Sequence, residues 1–424
     1  MPLRHGGRAS PESATSPSPE NPSADSNQAL HPNVIAAGWV SFFTDLGSEL
    51  IYPLLPAFIT GTQGLNASKT MLGLIEGLSE ATPAMVKLWS GMWADRLSNR
   101  KWLIFIGYLL SSAIKPFIGL ATSAWQVLGL RFTDKIGKGI RGAPRDALIS
   151  DSVPAGLRGR AFGFHRAMDH LGALGGALVA WFLLQQLGLS VKSVIILSFL
   201  PGLLCLLTII FLIRDIPGRT VPPKAAAGFA GLSEMPRSFW MLNIGLAGCA
   251  IANSSDAFLL LRAQDMGVPL AQIPLLWAFL HLVKSITCYA GGRMSDRFGP
   301  KWVTSGGWLL YSGVYWGFAS YSTPAAAWIL FLVYGFFFGL TEGSVKAWVA
   351  DLVPAEKRGT GYGFTGLMEG LMLLPASVLA GWLWDSAGHQ VPLRLGSVCA
   401  LTAALWLLFI VPGRSEKRFE DSAR

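Results

Sequence analysis

The sequence predicts an all-α polytopic membrane protein, with twelve transmembrane helices in two pseudo-symmetric six-helix bundles. Three observations lead there. Of 424 residues, 51% are hydrophobic and only 14% charged, and the mean hydropathy is +0.44; soluble domains run near 25% charged. Apolar runs of about 20 residues or more, long enough to cross a bilayer, recur about twelve times. The loops between these runs repeat in the same order in the two halves of the chain.

Residues 1–32 are rich in Ser, Pro and Asn and hold no apolar core. They read as a disordered tail and not as a cleaved signal peptide. The apolar runs then fall near 33–60, 70–94, 102–122, 124–150, 158–188 and 192–213. A polar, Pro/Gly-rich linker covers 214–236. Runs near 237–263, 270–294, 302–321, 325–351, 358–387 and 391–412 follow, and 413–424 is a short charged tail. The bundles are therefore expected at 33–213 and 237–412.

The net charge of +9 sits in loops, which argues for membrane topology and against nucleic acid. One side collects Arg96, Arg100 and Lys101, then Arg158 and Arg160, then Arg214, Arg219, Lys224 and Arg237. Arg293, Arg297, Lys301, Lys357 and Arg358 join them. The other side has little beyond Lys69, Lys192 and Arg394. The positive-inside rule makes the first side cytoplasmic, with both termini there and the chain in a bacterial cytoplasmic (inner) membrane. The 16 Trp and 48 Gly suit membrane helices and their interfaces. Cys205, Cys249, Cys288 and Cys399 lie scattered in apolar runs, which reads as buried free thiols.

GMWADRLSNRK at 91–101 matches GRMSDRFGPK at 292–301. DSVPAGLRGRAFGF at 151–164 matches DLVPAEKRGTGYGF at 351–364, an offset of 351 − 151 = 200 without a gap. Met168 and Asp169 then stand opposite Met368 and Glu369. This is the parallel-repeat plan of many secondary transporters, with substrate near the midplane between halves.

The first loop resembles the G-x-x-x-D-R-x-x-x-R-K signature of the major facilitator superfamily, in Gly91, Asp95, Arg96, Arg100 and Lys101. The second copy keeps Gly292, Asp296, Arg297 and Lys301, one residue shorter. The fourth run is similar to the superfamily's R-F-x-x-x-I-G-x-G pattern in Arg131, Phe132, Ile136, Gly137 and Gly139. It departs at Asp134 and Lys135, where drug exporters usually have Gln-Gly, and the fifth run lacks the Pro of the antiporter signature. The resemblance covers 33–412. It implies a secondary active transporter working by alternating access, expected as a monomer; the sequence shows no catalytic constellation, so no enzyme and no cofactor are expected.

Charges inside the spans carry the functional expectation. Each costs about 2.5–3.5 kcal/mol at bilayer depth and marks a path or a pairing by default. Asp45 and Glu49 share a helix face, followed by Pro53 and Pro56, which can kink the first span. Glu76, Glu80, Pro83 and Lys87 form one stripe, and Arg131, Lys135 and Lys138 another. Asp134 and Lys138 are spaced for an internal pair, as are Glu342 and Lys346. Asp256, beside Asn253, Ser254 and Ser255, roughly matches Asp45. The alternative is that these charges neutralise one another and hold helices together. The cationic stripe favours an anionic or zwitterionic solute, and FLVYGFFF at 331–338 is apolar where the stripe's counterpart would be. The solute's charged end is thus expected on the first half. Asp45, Asp134, Asp169 or Glu369 could carry a proton, as the resemblance implies.

The resemblance gives the signature loops a cytoplasmic gate, closed when the cavity faces outward, with Arg158 and Arg358 of the VPxxxRG turns as partners for Asp95 and Asp296. Loop rigidity and topology are the plainer role. His165, Asp169 and His170 do not make a metal site, because His170 points about 100° from Asp169 on an ideal helix. GKG at 137–139 lacks phosphate-loop spacing and reads as close helix packing. The function expected is transport of a small polar or anionic organic solute, coupled to protons. A proton-driven multidrug antiporter and a non-transporting sensor on the same scaffold are the alternatives.

Overall fold

The computed structural model describes residues 30–96, 100–154, 157–214, 232–354 and 357–413, with side chains throughout except at 88, 89, 91–96, 100, 159 and 289. The expected tails and most of the 214–236 linker lie outside the described residues. So do the side chains of Gly91, Asp95, Arg96 and Arg100.

The described chain is helical, without strands. In the first half it runs through α1 (Pro32–Glu49), α2 (Leu55–Thr60), α3 (Lys69–Arg96), α4 (Arg100–Ile118) and α5 (Ala124–Asp151). It continues with α6 (Arg158–Gln185), α7 (Val191–Leu197) and α8 (Phe199–Leu212). The second half comprises α9 (Arg237–Ala252), α10 (Ala257–Asp265), α11 (Ile273–Phe298), α12 (Pro300–Ser320), α13 (Pro324–Leu352), α14 (Arg358–Ala387) and α15 (Gln390–Phe409).

Local chemistry sets the ends. Ser123 and Thr323 cap α5 and α13 by accepting from the N–H groups of Gln126 and Ala326, which satisfies donors a helix start leaves open. Gly388, at φ +82°, ends α14 in a conformation that disfavours other residues. Pro53 and Pro56 do more than kink the first span: α1 stops at Glu49, and a 3-10 turn, Tyr52–Leu54, precedes α2. Two expected continuous spans are also divided. The sixth breaks at Ser198 between α7 and α8, and the seventh at residues 253–256 between α9 and α10.

Among the described residues nine helical segments are long and apolar enough to cross a membrane. α3, α5 and α12 are as long, at 28, 28 and 21 residues, or about 42, 42 and 32 Å at 1.5 Å per residue. Charge lowers the hydropathy of α3 and α5. α12 is instead rich in Gly, Ser, Trp and Tyr. Nine segments therefore qualify on length and hydropathy, and three more helices, two of them charged, on length alone.

Helices pair in the same way in each half. α1 packs on α6 and α8, and α5 on α3 and α4; in the second half α9 packs on α14 and α15, and α13 on α11 and α12. The halves meet along two related seams, α3 with α14 and α6 with α11. The second half has the larger aromatic core, where Tyr311 stacks on Tyr315 with ring centroids 4.2 Å apart and Phe318, Phe331 and Tyr334 are fully buried. Large apolar side chains such as Trp125, Phe211 and Phe409 point outward, as a lipid-facing surface requires. Cys205 and Cys249 are buried as expected, but Cys288 and Cys399 are only half-buried, because their faces of α11 and α15 are not fully packed.

Candidate functional site: an intramembrane cavity between the halves

Four ion pairs organise the first half. Arg131 on α5 meets Glu76 on α3 at 3.0 Å, both nearly inaccessible. One turn on, Lys135 meets Glu80 at 3.1 Å. Asp134 lies on the neighbouring face, 3.7 Å from Arg131 and 4.0 Å from Lys115 of α4, and accepts from Ser111. The stripes on α3 and α5 therefore face each other as a ladder, each rung supplied by one residue per helix turn. The expected Asp134–Lys138 pair does not form, because α5 turns Asp134 towards α4 and Lys138 away from it. Gly137 and Gly139 allow the approach: a Cβ on Gly137 would stand 2.6 Å from the Gly107 carbonyl, and one on Gly139 2.5 Å from Val86.

Beside the ladder is a cavity of about 320 Å³. Its first-half wall is Asp45, Ser48, Glu49, Tyr52, Glu80 and the α5 residues Arg131, Asp134, Lys135, Lys138 and Arg141. Its second-half wall is Asn253, Ser254, Ser255, Asp256, Trp277, Phe338 and Leu373. Residues 253–256 are the break between α9 and α10, so irregular backbone lines the cavity, the setting in which membrane proteins tolerate it. Asp256 accepts from the Tyr334 hydroxyl at 2.6 Å. Glu49 accepts from the indole N–H of Trp277, across the seam, at 2.7 Å. Asp45 and Lys138 line the same space with no ion pair or hydrogen bond among the described residues.

A second lobe of about 570 Å³ adjoins it, sharing Glu80, Asn253, Phe338 and Leu373. Glu342, Lys346 and Glu369 line this lobe. The expected Glu342–Lys346 pair is replaced: Glu342 binds Arg166 of the other half and lies 3.6 Å from Lys284. Asp169 accepts from Ser41 and lies 3.8 Å from both His165 and Arg166. It stands beside the α1–α6 packing rather than on either lobe.

The cavity is closed at the end away from the termini. There Asp385, at the end of α14, accepts from the backbone N–H groups of Lys69 and Thr70 and from the Thr70 hydroxyl, at 3.0, 2.8 and 2.7 Å. One half thus caps the first turn of a helix in the other, where a carboxylate is favoured. Behind this cap the backbones touch. A Cβ on Gly73 would fall 2.1 Å from the Ser377 carbonyl, and one on Gly381 2.2 Å from that of Lys69. Tyr52 packs on Trp277 and bonds Ser255 at 3.5 Å. Towards the end bearing the termini the walls carry exposed charge instead: the side chains of Lys87 and Arg166 are 57% and 55% exposed. Asp385→Ala is expected to loosen the closed end by on the order of 1 kcal/mol. A cysteine at Ser255 should then react several-fold faster with a membrane-impermeant maleimide added from that end, whereas unchanged labelling would deny the cap any role.

Of the expected gate residues, Arg158 and Arg358 do begin α6 and α14 and are exposed. Arg358 donates to the Ala350 carbonyl at 3.2 Å. Lys101 donates to the Ile210 carbonyl at 2.8 Å. Asp296 and Arg297 are exposed, Gly292 and Lys301 half-buried. Arg141 is buried against the Tyr108 ring at 4.1 Å and lines the cavity.

The sequence profile of the Major Facilitator Superfamily matches residues 37–374. The chain belongs to that superfamily. An uncharacterized MFS-type transporter of Methanocaldococcus jannaschii is 32% identical to it over 393 residues, covering 91% of this chain and 96% of its own length. The multidrug resistance protein MdtG of Citrobacter koseri is 26% identical over 278 residues, 63% of this chain and 67% of that one. Among solved structures, a bacterial homologue of the human lysosomal transporter Spinster superposes with a TM-score of 0.73 at 19% identity, over 89% of this chain and 95% of that one. A Major Facilitator Superfamily transporter is what this fold and these relatives share, and an integral, multi-pass membrane protein follows.

Sequence reasoning overlooked several residues of the site. Lys115 is a lone charge in the third span, with no partner at helical spacing to mark it. Trp277, Tyr52, Arg166, Lys284 and Phe338 carried no signal of their own, since aromatic and lone basic residues are common throughout such a chain. The tetrapeptide Asn253–Asp256 was the visible clue: four polar residues in a row interrupt an apolar run.

Proposed function

We propose that the chain is a secondary active transporter that moves a small polar or anionic organic solute by alternating access, driven by protons. One observation carries the reading. Most charges of the cavity wall are held by an ion pair, a hydrogen bond or an aromatic ring, yet Lys138 and Asp45 face the same space with none of these, at a depth where an isolated charge is strongly disfavoured. Lys138 supplies a cation for the solute. Asp45 supplies a carboxylate free to gain and lose a proton, which Asp134 is not, being held by Lys115, Arg131 and Ser111. Glu49 joins the cavity to the closed end through Trp277, so changes at the site have a direct route to closure.

In this reading the six-span halves 33–213 and 237–412 rock about the two seams. The closed end described above faces outward, and the open end faces the cytoplasm with both termini. Reversal would bring Asp95 and Asp296 against the turns that begin α6 and α14, at Arg158 and Arg358, and close the cytoplasmic side. The protein works as a monomer in the cytoplasmic membrane. The likeness to MdtG supports a second reading, a proton-driven multidrug efflux antiporter. The aromatic second-half wall, with Trp277 and Phe338, favours it, while the charged first-half wall does not.

The test is reconstitution of the full chain into liposomes containing a pH-sensitive dye, with organic acids, amino acids and drugs offered in turn. A solute that moves protons with it in protein-containing vesicles, and not in empty ones, supports the reading. Solute flux with no proton movement at any pH gradient would reject coupling, and absence of flux across the whole panel would favour the non-transporting sensor.

A further inference from the structure

The two lobes of the cavity differ in chemistry, and each contains a buried donor without an acceptor. In the first lobe, Arg141 is 5% exposed and one nitrogen of its guanidinium group has no hydrogen-bond partner. Lys138, one turn earlier on α5, lines the same lobe with no ion pair among the described residues. In the second lobe Trp308 is 7% exposed, and its indole N–H is likewise without a partner. Such orphans are rare, because an unsatisfied buried donor loses its hydration for nothing in return. Both lobes of one connected space carry them, with Arg131 Nε a further one in the first lobe, and each would be satisfied by an acceptor oxygen. The surface between them is largely apolar: Leu246, Phe337, Phe338, Val345 and Val349.

We infer that the solute is an amphipathic organic anion bound across both lobes. Its charged group accepts from Lys138 and Arg141. Its apolar or aromatic body lies against Phe337, Phe338 and Trp308, and an oxygen on that body accepts from the Trp308 indole. This deepens the transport reading above and rests on it. Three of the carboxylates nearby are engaged elsewhere: Glu80 is held by Lys135 and Glu76 by Arg131, and Glu49 accepts from Trp277. Asp45 shares the lobe with Lys138 but forms no ion pair with it. The second lobe, at about 570 Å³, is within the range of about 300–1,000 Å³ usual for small-molecule sites.

The experiment measures thermal stabilisation of the full chain in lipid nanodiscs by a matched set of probes. These are acetate, succinate, phenylacetate and 4-methoxyphenylacetate, with 2-(4-methoxyphenyl)ethanol and the corresponding amine. Binding should rise from acetate to phenylacetate to the methoxy acid, and the alcohol and amine should be weak. Lys138→Gln, which breaks no ion pair among the described residues, should weaken the aryl acids by about tenfold, the value of one charged hydrogen bond. Trp308→Phe should erase the advantage of the methoxy acid over phenylacetate. Stabilisation by succinate and not by either aryl acid would overturn the inference while leaving transport of a polar anion standing. Preference for the amine would overturn both. No stabilisation by any of the acids would overturn the amphipathic class.

Discussion

Arg131→Met is expected to destabilise the protein more than any other single change in the first half. It would leave Glu76, 1% exposed, without its cation and take one of two counter-charges from Asp134. Breaking a buried pair by removing one partner typically costs about 3–5 kcal/mol, whereas replacing both partners by apolar groups is close to neutral. The double variant Glu76→Gln with Arg131→Met should therefore recover much of the loss. Thermal unfolding of the purified protein, followed by a thiol-reactive dye on the buried Cys205 and Cys249, reads both. A single variant that unfolds at the wild-type temperature would show that the ladder does not hold α3 to α5.

Asp45→Asn is expected to abolish accumulation of solute while leaving exchange intact. One proton carried down a gradient of one pH unit supports about tenfold accumulation, since one unit corresponds to about 1.4 kcal/mol. The variant, unable to ionise at this position, should equilibrate solute across the vesicle membrane and stop there. Counterflow with equal solute on both sides would continue, because the cationic side of the site is untouched. Asp134→Asn makes the contrast: it should lower stability through the loss at Lys115 and Arg131 before it alters coupling. Full accumulation by Asp45→Asn would remove Asp45 as the proton carrier and direct attention to Glu369, which lines the second lobe with no ion pair among the described residues.

Much of this architecture was legible because it repeats. Two copies of a loop at a constant offset, and runs of bilayer length, need no knowledge of packing. The face of a helix was legible too: Arg131, Lys135 and Lys138 share one because 3.6 residues make a turn. What the sequence could not express is rotation of one helix against another. Spacing alone favoured Asp134 with Lys138 and Glu342 with Lys346. The fold instead turns Asp134 towards Lys115 on a neighbouring helix and Glu342 towards Arg166 in the other half, so geometry across the seams overrode proximity along the chain. The cap of α3 by Asp385 was equally invisible. It joins residues 316 positions apart, and only at an end of the molecule that happens to be closed.

The ladder between α3 and α5 also has a consequence for how the protein is made. Glu76 and Arg131, like Glu80 and Lys135, are separated by 55 residues. At a synthesis rate of about 5–20 residues per second, the acidic helix emerges roughly 3–11 seconds before its basic counterpart. During that interval α3 offers the bilayer two carboxylates with nothing to neutralise them, which disfavours its release into lipid. α5 has the mirror-image difficulty if it arrives alone. Membrane integration of the first half is therefore a joint event: the insertion machinery or the adjacent α4 must shelter the earlier helix until the later one docks. A nascent chain halted between Ile118 and Arg131 would retain α3 only loosely, and one extended past Lys135 would hold it.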